Sequence, residues 1–162
     1  MLCYANNTLS EYLERLAARE PVPGGGSAAA LSAAMGAALM AMSTRYSTGK
    51  GKPKVVEGRF DKIILQADKA RAIFSGMVAQ DAQAYLDVVA ARKSADKAAL
   101  RAANKAAAGV PRELIKECRT LLKVVPFLKK EANKYLVSDV LAAEVFLNAA
   151  IKAAQTMIEA NQ

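Results

Sequence analysis

The stretch AAALSAAMGAALMAMSTRYS, residues 28–47, decides the fold class. Nearly every side chain in it is small, Gly36 stands near its middle, and no charge appears before Arg45. Alanine is the best helix former, so the segment reads as a helix that neighbouring backbones can approach closely from several sides. The whole chain agrees with it. Thirty-five alanines against nine glycines, five prolines and no tryptophan is the composition of a packed helical protein, not of a sandwich or barrel. At 162 residues there is enough chain for one domain with a real core. The fold expected is all-α, a single-domain helical bundle over 1–162 with this Ala/Gly-rich helix buried at its centre.

Flanking segments supply the other helices. Thr8-Leu9-Ser10-Glu11 has the form of a capping box, which predicts a first helix from there to about Arg19 with Leu9, Leu13 and Leu16 at helical spacing. Pro21 to Ser27 breaks the chain before the alanine-rich helix. The segment 47–54, STGKGKPK, reads as a mobile basic loop. From Val55 to Ala91 a long helix is predicted, its stripe including Phe60, Ile63, Ala67, Phe74, Met77, Val78, Tyr85 and Val88. A further helical piece covers Ser94 to Ala108. Pro111 suits the first turn of the next helix, Pro126 bends or interrupts it, and Ser138 is expected to cap a last helix from Asp139 to about Ala160.

The absence of histidine removes the usual general base, proton shuttle and metal ligand together. The two cysteines, Cys3 and Cys118, have neither zinc spacing nor a disulfide partner nearby, so no metal is expected and a reducing, cytoplasmic setting is. The amino terminus lacks the pattern of a secretory signal. Ala28 to Met42 falls short of the roughly 20 residues that span a bilayer, so no membrane is expected. The net charge of +8 is uneven: residues 50–134 carry +10. Such a segment could steer an anionic partner, but composition alone favours a solvated helix face. Nucleic acid is disfavoured, because aromatics are not interleaved with the lysines and no nucleic-acid-binding motif is legible.

Three features could carry chemistry. Gly24-Gly25-Gly26-Ser27 opens the alanine-rich helix, and its free backbone N–H groups suit an anion or electron-rich heteroatom, or simply a tight structural turn. Asp81 falls on the apolar stripe between Val78 and Tyr85. A carboxylate there has either a raised pKa or a neighbouring partner. Asp139, in the first turn of the last helix, fits ordinary stabilisation by the helix dipole.

Glu20-Pro21-Val22-Pro23-Gly24-Gly25-Gly26-Ser27-Ala28-Ala29-Ala30 with Gly36-Ala37-Ala38-Leu39, then Asp81-Ala82-Gln83-Ala84-Tyr85, then Val110-Pro111, then Ala132-Asn133-Lys134-Tyr135-Leu136-Val137-Ser138-Asp139 resembles, in order, the cyclodeaminase/cyclohydrolase family. These are folate enzymes similar to the carboxy-terminal half of formiminotransferase-cyclodeaminase. The resemblance implies a helical bundle that forms a homodimer. It also implies hydrolysis of methenyltetrahydrofolate to formyltetrahydrofolate, or ammonia loss from formiminotetrahydrofolate, with no cofactor beyond the folate substrate. Carried over by residue, it makes Asp139 the acid/base with Asp81 in support. Pro23, Gly24, Gly25, Gly26, Ser27, Asn133 and Ser138 would bind substrate, and Lys50, Lys52 and Lys54 would meet its glutamate tail, extended or not. Glu159 stands where relatives often have arginine, and the chain stops within or just after its last helix, so part of the site or dimer edge is expected to differ. The alternative from another class is a non-catalytic helical module that binds folate or an acidic partner.

Overall fold

The computed structural model describes Tyr4, residues 7–94 and residues 96–160, apart from the side chain of Ala160. Cys3 lies outside the described residues. The chain is all-helical and a single domain: α1 Leu9–Ala17, α2 Gly25–Arg45, α3 Lys54–Lys93, α4 Lys97–Leu122, α5 Val125–Glu131, a 3₁₀ turn Lys134–Leu136, and α6 Val137–Ala160. No strand occurs among the described residues.

The capping box forms as the sequence predicts. The Glu11 N–H donates to Thr8 Oγ1 at 3.2 Å, and the Thr8 N–H donates to Glu11 Oε2 at 2.6 Å. What α1 buries differs from the leucine pattern, since Leu9 and Leu13 are 64% and 50% exposed while Tyr12 is 5% exposed. The buried position has a hydrogen-bond partner for a polar tip. Tyr12 packs edge-on against Tyr4 and shares a 3.0 Å hydrogen bond with Ser27 Oγ, so an aromatic with a hydroxyl outcompetes leucine there.

Helix α2 packs chiefly against α3 and α6. Ala30, Ala33, Ala37 and Met40 are fully buried, whereas Met35 on its outer edge is 42% exposed and Leu31, Leu39 and Met42 are half-buried. A Cβ on Gly36 would lie 3.0 Å from Leu147 Cγ and 3.1 Å from the Ala143 carbonyl oxygen, so the missing side chain is what lets α6 come this close. Gly36→Val is therefore expected to lower stability by about 1–3 kcal/mol, the range for overpacking, despite valine's better helix propensity. A chemical denaturation midpoint checks it. By length and composition alone the 21 residues of α2 would cross a membrane, a correction to the shorter stretch read from the sequence. Half of its most apolar 18 residues, however, are buried inside the bundle, which is how the core helix of a folded domain passes the same test.

Two boundaries also differ from the sequence reading. Pro111 does not start a helix but lies buried inside the continuous α4, where packing against α3 and α6 carries the helix past the missing N–H. Ser138 is not a cap. Helix α6 begins at Val137, straight out of the 3₁₀ turn, and it is Asn133 Oδ1 that accepts the Tyr135 N–H at the start of that turn. Pro126 sits in the first turn of α5, as expected of a residue that interrupts a helix. Between α2 and α3, Gly49 and Gly51 take φ of 67° and 75°, a left-handed backbone open to glycine at little cost.

Candidate functional site

Gly25, Gly26 and Ser27 do not precede α2; they are its first turn, with Gly24 as N-cap. Gly24 has no side chain to satisfy the N–H groups exposed there. The Asp81 carboxylate reaches across from α3 onto that helix start, against Gly26, where the Ser27 N–H acts on it electrostatically. A Cβ on Gly26 would lie 2.5 Å from Asp81 Cγ and 2.7 Å from Oδ2, with Oδ1 closer still. Glycine at 26 is thus the condition for seating a carboxylate on this helix start. Burial pushes the Asp81 carboxyl above its ordinary value, and the Ser27 N–H offsets part of that rise. Behind it, the buried Ser27 hydroxyl is held by Tyr12, whose own phenol burial raises.

This corner opens into a cavity of about 290 Å³ lined by Gly24, Gly25, Gly26 and Asp81 on one side and by Pro21, Tyr85, Val88, Arg92, Ala107, Pro111 and Met157 around it. Pro111 has no N–H to give the Ala107 carbonyl one turn back, so the irregularity in α4 falls at the cavity wall. A half-buried carboxylate with a raised pKa, beside a helix start and within mostly apolar walls, can hold a proton or a cationic group and can exchange that proton with water.

The candidate residues fall into two groups at opposite ends of α2. Gly24, Gly25, Gly26 and Asp81 share the cavity; Ser27 lies buried behind it and Pro23 is buried outside the lining. Lys50, Lys52, Asn133, Ser138 and Asp139 are not there. The Asn133 N–H donates to Ser47 Oγ at 2.8 Å, just beyond the carboxyl end of α2, and so about 30 Å from Gly25 by the helical rise. Asp139 lies in the first turn of α6, whose far end brings Met157 to Gly25, again about 27 Å away. Lys52 is already held by Glu131 at 3.1 Å, while Lys50 and Lys54 are exposed. Within one chain, the three motif blocks therefore do not build one site.

Tyr12, Arg92 and Met157 escaped the sequence reading. Arg92 carried a signal, since it continues the spacing Asp81, Tyr85, Val88 by another four residues; Tyr12 and Met157 carried none that distinguishes them from core. A broader depression of about 440 Å³ near the other end of α2 is lined by Arg45, Asp68 and Arg71, but these charges already pair with one another. Burial pushes the Cys118 thiol up to about 12, which leaves it no nucleophilic role. Among the described residues no cluster of three acidic, cysteine or histidine side chains could hold a metal.

Residues 8–162 match the formiminotransferase-cyclodeaminase family. The chain is 31% identical to a methenyltetrahydrofolate cyclohydrolase of Methylorubrum extorquens, over 96% of this chain and 79% of that protein. Its fold matches the crystal structure of a formiminotetrahydrofolate cyclodeaminase from Thermotoga maritima with a TM-score of 0.92 and 28% identity, over 97% of this chain and 79% of that one.

Proposed function

Because the chain belongs to the formiminotransferase-cyclodeaminase family, a family of folate cyclohydrolases and cyclodeaminases, we propose that it hydrolyses methenyltetrahydrofolate to formyltetrahydrofolate. The observation that carries this reading is the Asp81 carboxylate seated against Gly26 at the start of α2, within the cavity. The methenyl carbon lies in a cationic amidine and is already electrophilic, so the protein has only to orient water and move protons. Asp81 takes a proton from water as the carbon–oxygen bond forms. It then gives that proton to the departing nitrogen as the carbon–nitrogen bond breaks, while the hydroxyl proton on the carbon passes to water and leaves the formyl carbonyl, the one proton released as the cation is neutralised. Its negative charge also favours the cationic bridge electrostatically.

The second reading is ammonia loss from formiminotetrahydrofolate, favoured by the likeness to the Thermotoga cyclodeaminase. The same carboxyl, protonated, would supply the proton that lets ammonia leave, and a raised pKa suits that direction as well. Loss of methenyl absorbance, followed with and without the protein, tests the first reading, and ammonia release from the formimino substrate tests the second. Turnover of the formimino compound alone selects the cyclodeaminase. Folate binding without either turnover selects a non-catalytic module, and neither binding nor turnover overturns the folate reading.

Asp139 enters this proposal through a homodimer. In one chain it is far from the cavity, so it shares the acid/base work, with Asn133, Ser138 and the Lys50 to Lys54 loop nearby, only if a second copy lies antiparallel along α2. The partly exposed apolar edge of Leu31, Met35, Leu39 and Met42 supports such a pairing. Asp139→Asn should then lower turnover by about a hundredfold. Mixed with inactive Asp81→Asn after subunit exchange, it should recover about a quarter of wild-type activity, since half of the dimers are mixed and each holds one intact site. Mixtures that stay inactive would remove Asp139 from the site.

A further inference from the structure

Asp81 is followed on the same face of α3 by Tyr85, Val88 and Arg92, at steps of four, three and four residues, and all four line the cavity. The helical rise separates Asp81 from Arg92 by about 16 Å along the axis. An arginine stem on a helix leans back toward the amino end, which shortens the distance between the two charged heads. Among the lining residues Asp81 is the sole acid and Arg92 the sole base. No ion pair engages Arg92 among the described residues. Between them Tyr85 is 48% exposed, while Val88 beside it is 7% exposed. The cavity is thus read along a line as carboxylate, exposed aromatic side chain, cation.

Resting on the folate reading above, we propose that Arg92 binds a carboxylate of the substrate's glutamate tail, with Tyr85 against the aminobenzoyl ring. The order of groups in the ligand is the complement of the order in the wall: a cationic one-carbon bridge, a flat aromatic ring, then an amide-linked dicarboxylate. The reverse orientation would set the ligand's carboxylates against Asp81 and its cation against Arg92, two repulsions instead of two attractions. Arg92 therefore fixes which end of the ligand meets Asp81. It is a binding and orienting residue, not an acid/base. It also gives the tail a cation in the same chain, whereas Lys50, Lys52 and Lys54 sit at the other end of α2.

Calorimetric titration with tetrahydrofolate and with tetrahydropteroate, which lacks the glutamate, separates this inference from the reaction itself. Wild type is expected to bind tetrahydrofolate about tenfold more tightly, in line with one charge-assisted hydrogen bond at a partly exposed site. Arg92→Gln should remove that preference by weakening tetrahydrofolate alone, and Arg92→Lys should restore part of it. The preference should also shrink at high salt. In turnover, Arg92→Gln should raise KM for methenyltetrahydrofolate about tenfold with kcat within about twofold, as for loss of uniform binding. Equal weakening of both ligands, or none, overturns the role of Arg92 even where the enzyme turns over normally. A preference that depends on Arg92 in a protein with no turnover would keep Arg92 and overturn the reaction instead. No binding of either ligand overturns both.

Discussion

Gly26→Ala is expected to lower kcat/KM by about a hundredfold or more while the protein stays folded and helical. The added Cβ would occupy the space of the Asp81 carboxylate, 2.5 Å from its Cγ. Asp81 is a short side chain whose tip can rotate away, so the clash is relieved by moving the carboxylate off the helix start, not by moving two helices. Replacing glycine by alanine in a helix gains about 1 kcal/mol, and losing a capping carboxylate costs about as much. Stability should thus change by no more than about 1 kcal/mol. Catalysis has no such compensation, because a displacement of about 1 Å in a reacting group already costs about a hundredfold. Steady-state kinetics with circular dichroism at the same concentration checks both halves. A variant of normal activity would mean that the Asp81 carboxylate does not have to sit at Gly26 for turnover.

The second large effect is that of Asp81→Asn, expected to lower kcat by about a thousandfold, within the range for loss of a general acid/base. Asparagine keeps the size and still presents a side-chain oxygen to the helix start, so the start of α2 remains served. The pH dependence gives an independent reading. Burial raises the Asp81 pKa above its unfolded value, so its protonated form is the one the fold favours. Its contribution to stability is accordingly full below the unfolded pKa and is lost as pH rises through the folded pKa. The difference in melting temperature between wild type and Asp81→Asn should fall across that window and level off above it. In kcat/KM for the cyclohydrolase reaction, wild type should show an acidic limb with its midpoint above the ordinary aspartate value, where the base loses its proton. A limb at the ordinary value would mean that the carboxyl is solvated during turnover.

Local sequence determined what local physics controls. The Thr8 to Glu11 box, the alanine run of α2 and the stripe of α3 define helices, because capping and side-chain period act within one or two turns. The same stripe put Asp81 on an inward-facing line with Tyr85. Motif resemblance marked the glycines, Asp81 and Asp139 as chemical candidates, but a list of motifs has no geometry. It could not say that Gly26 exists for the sake of the Asp81 carboxylate, since 55 positions separate them and only the packing of α2 on α3 brings them together.

Tertiary packing also overrode local preference. Pro111 sits inside α4 because burial against neighbouring helices outweighs one missing hydrogen bond, and Tyr12 displaces leucine from the buried face because Ser27 offers its hydroxyl a partner. The division of the candidate residues between the two ends of α2 is the largest such effect. Residues close in a motif stay close in space, but the distance between motifs is set by helix length at about 1.5 Å per residue and by which ends the bundle places together. The sequence by itself determined the helices and the chemical inventory; only the packed structure decided that Asp81, Tyr85 and Arg92 line one cavity while Asp139 stands at the far end of the molecule.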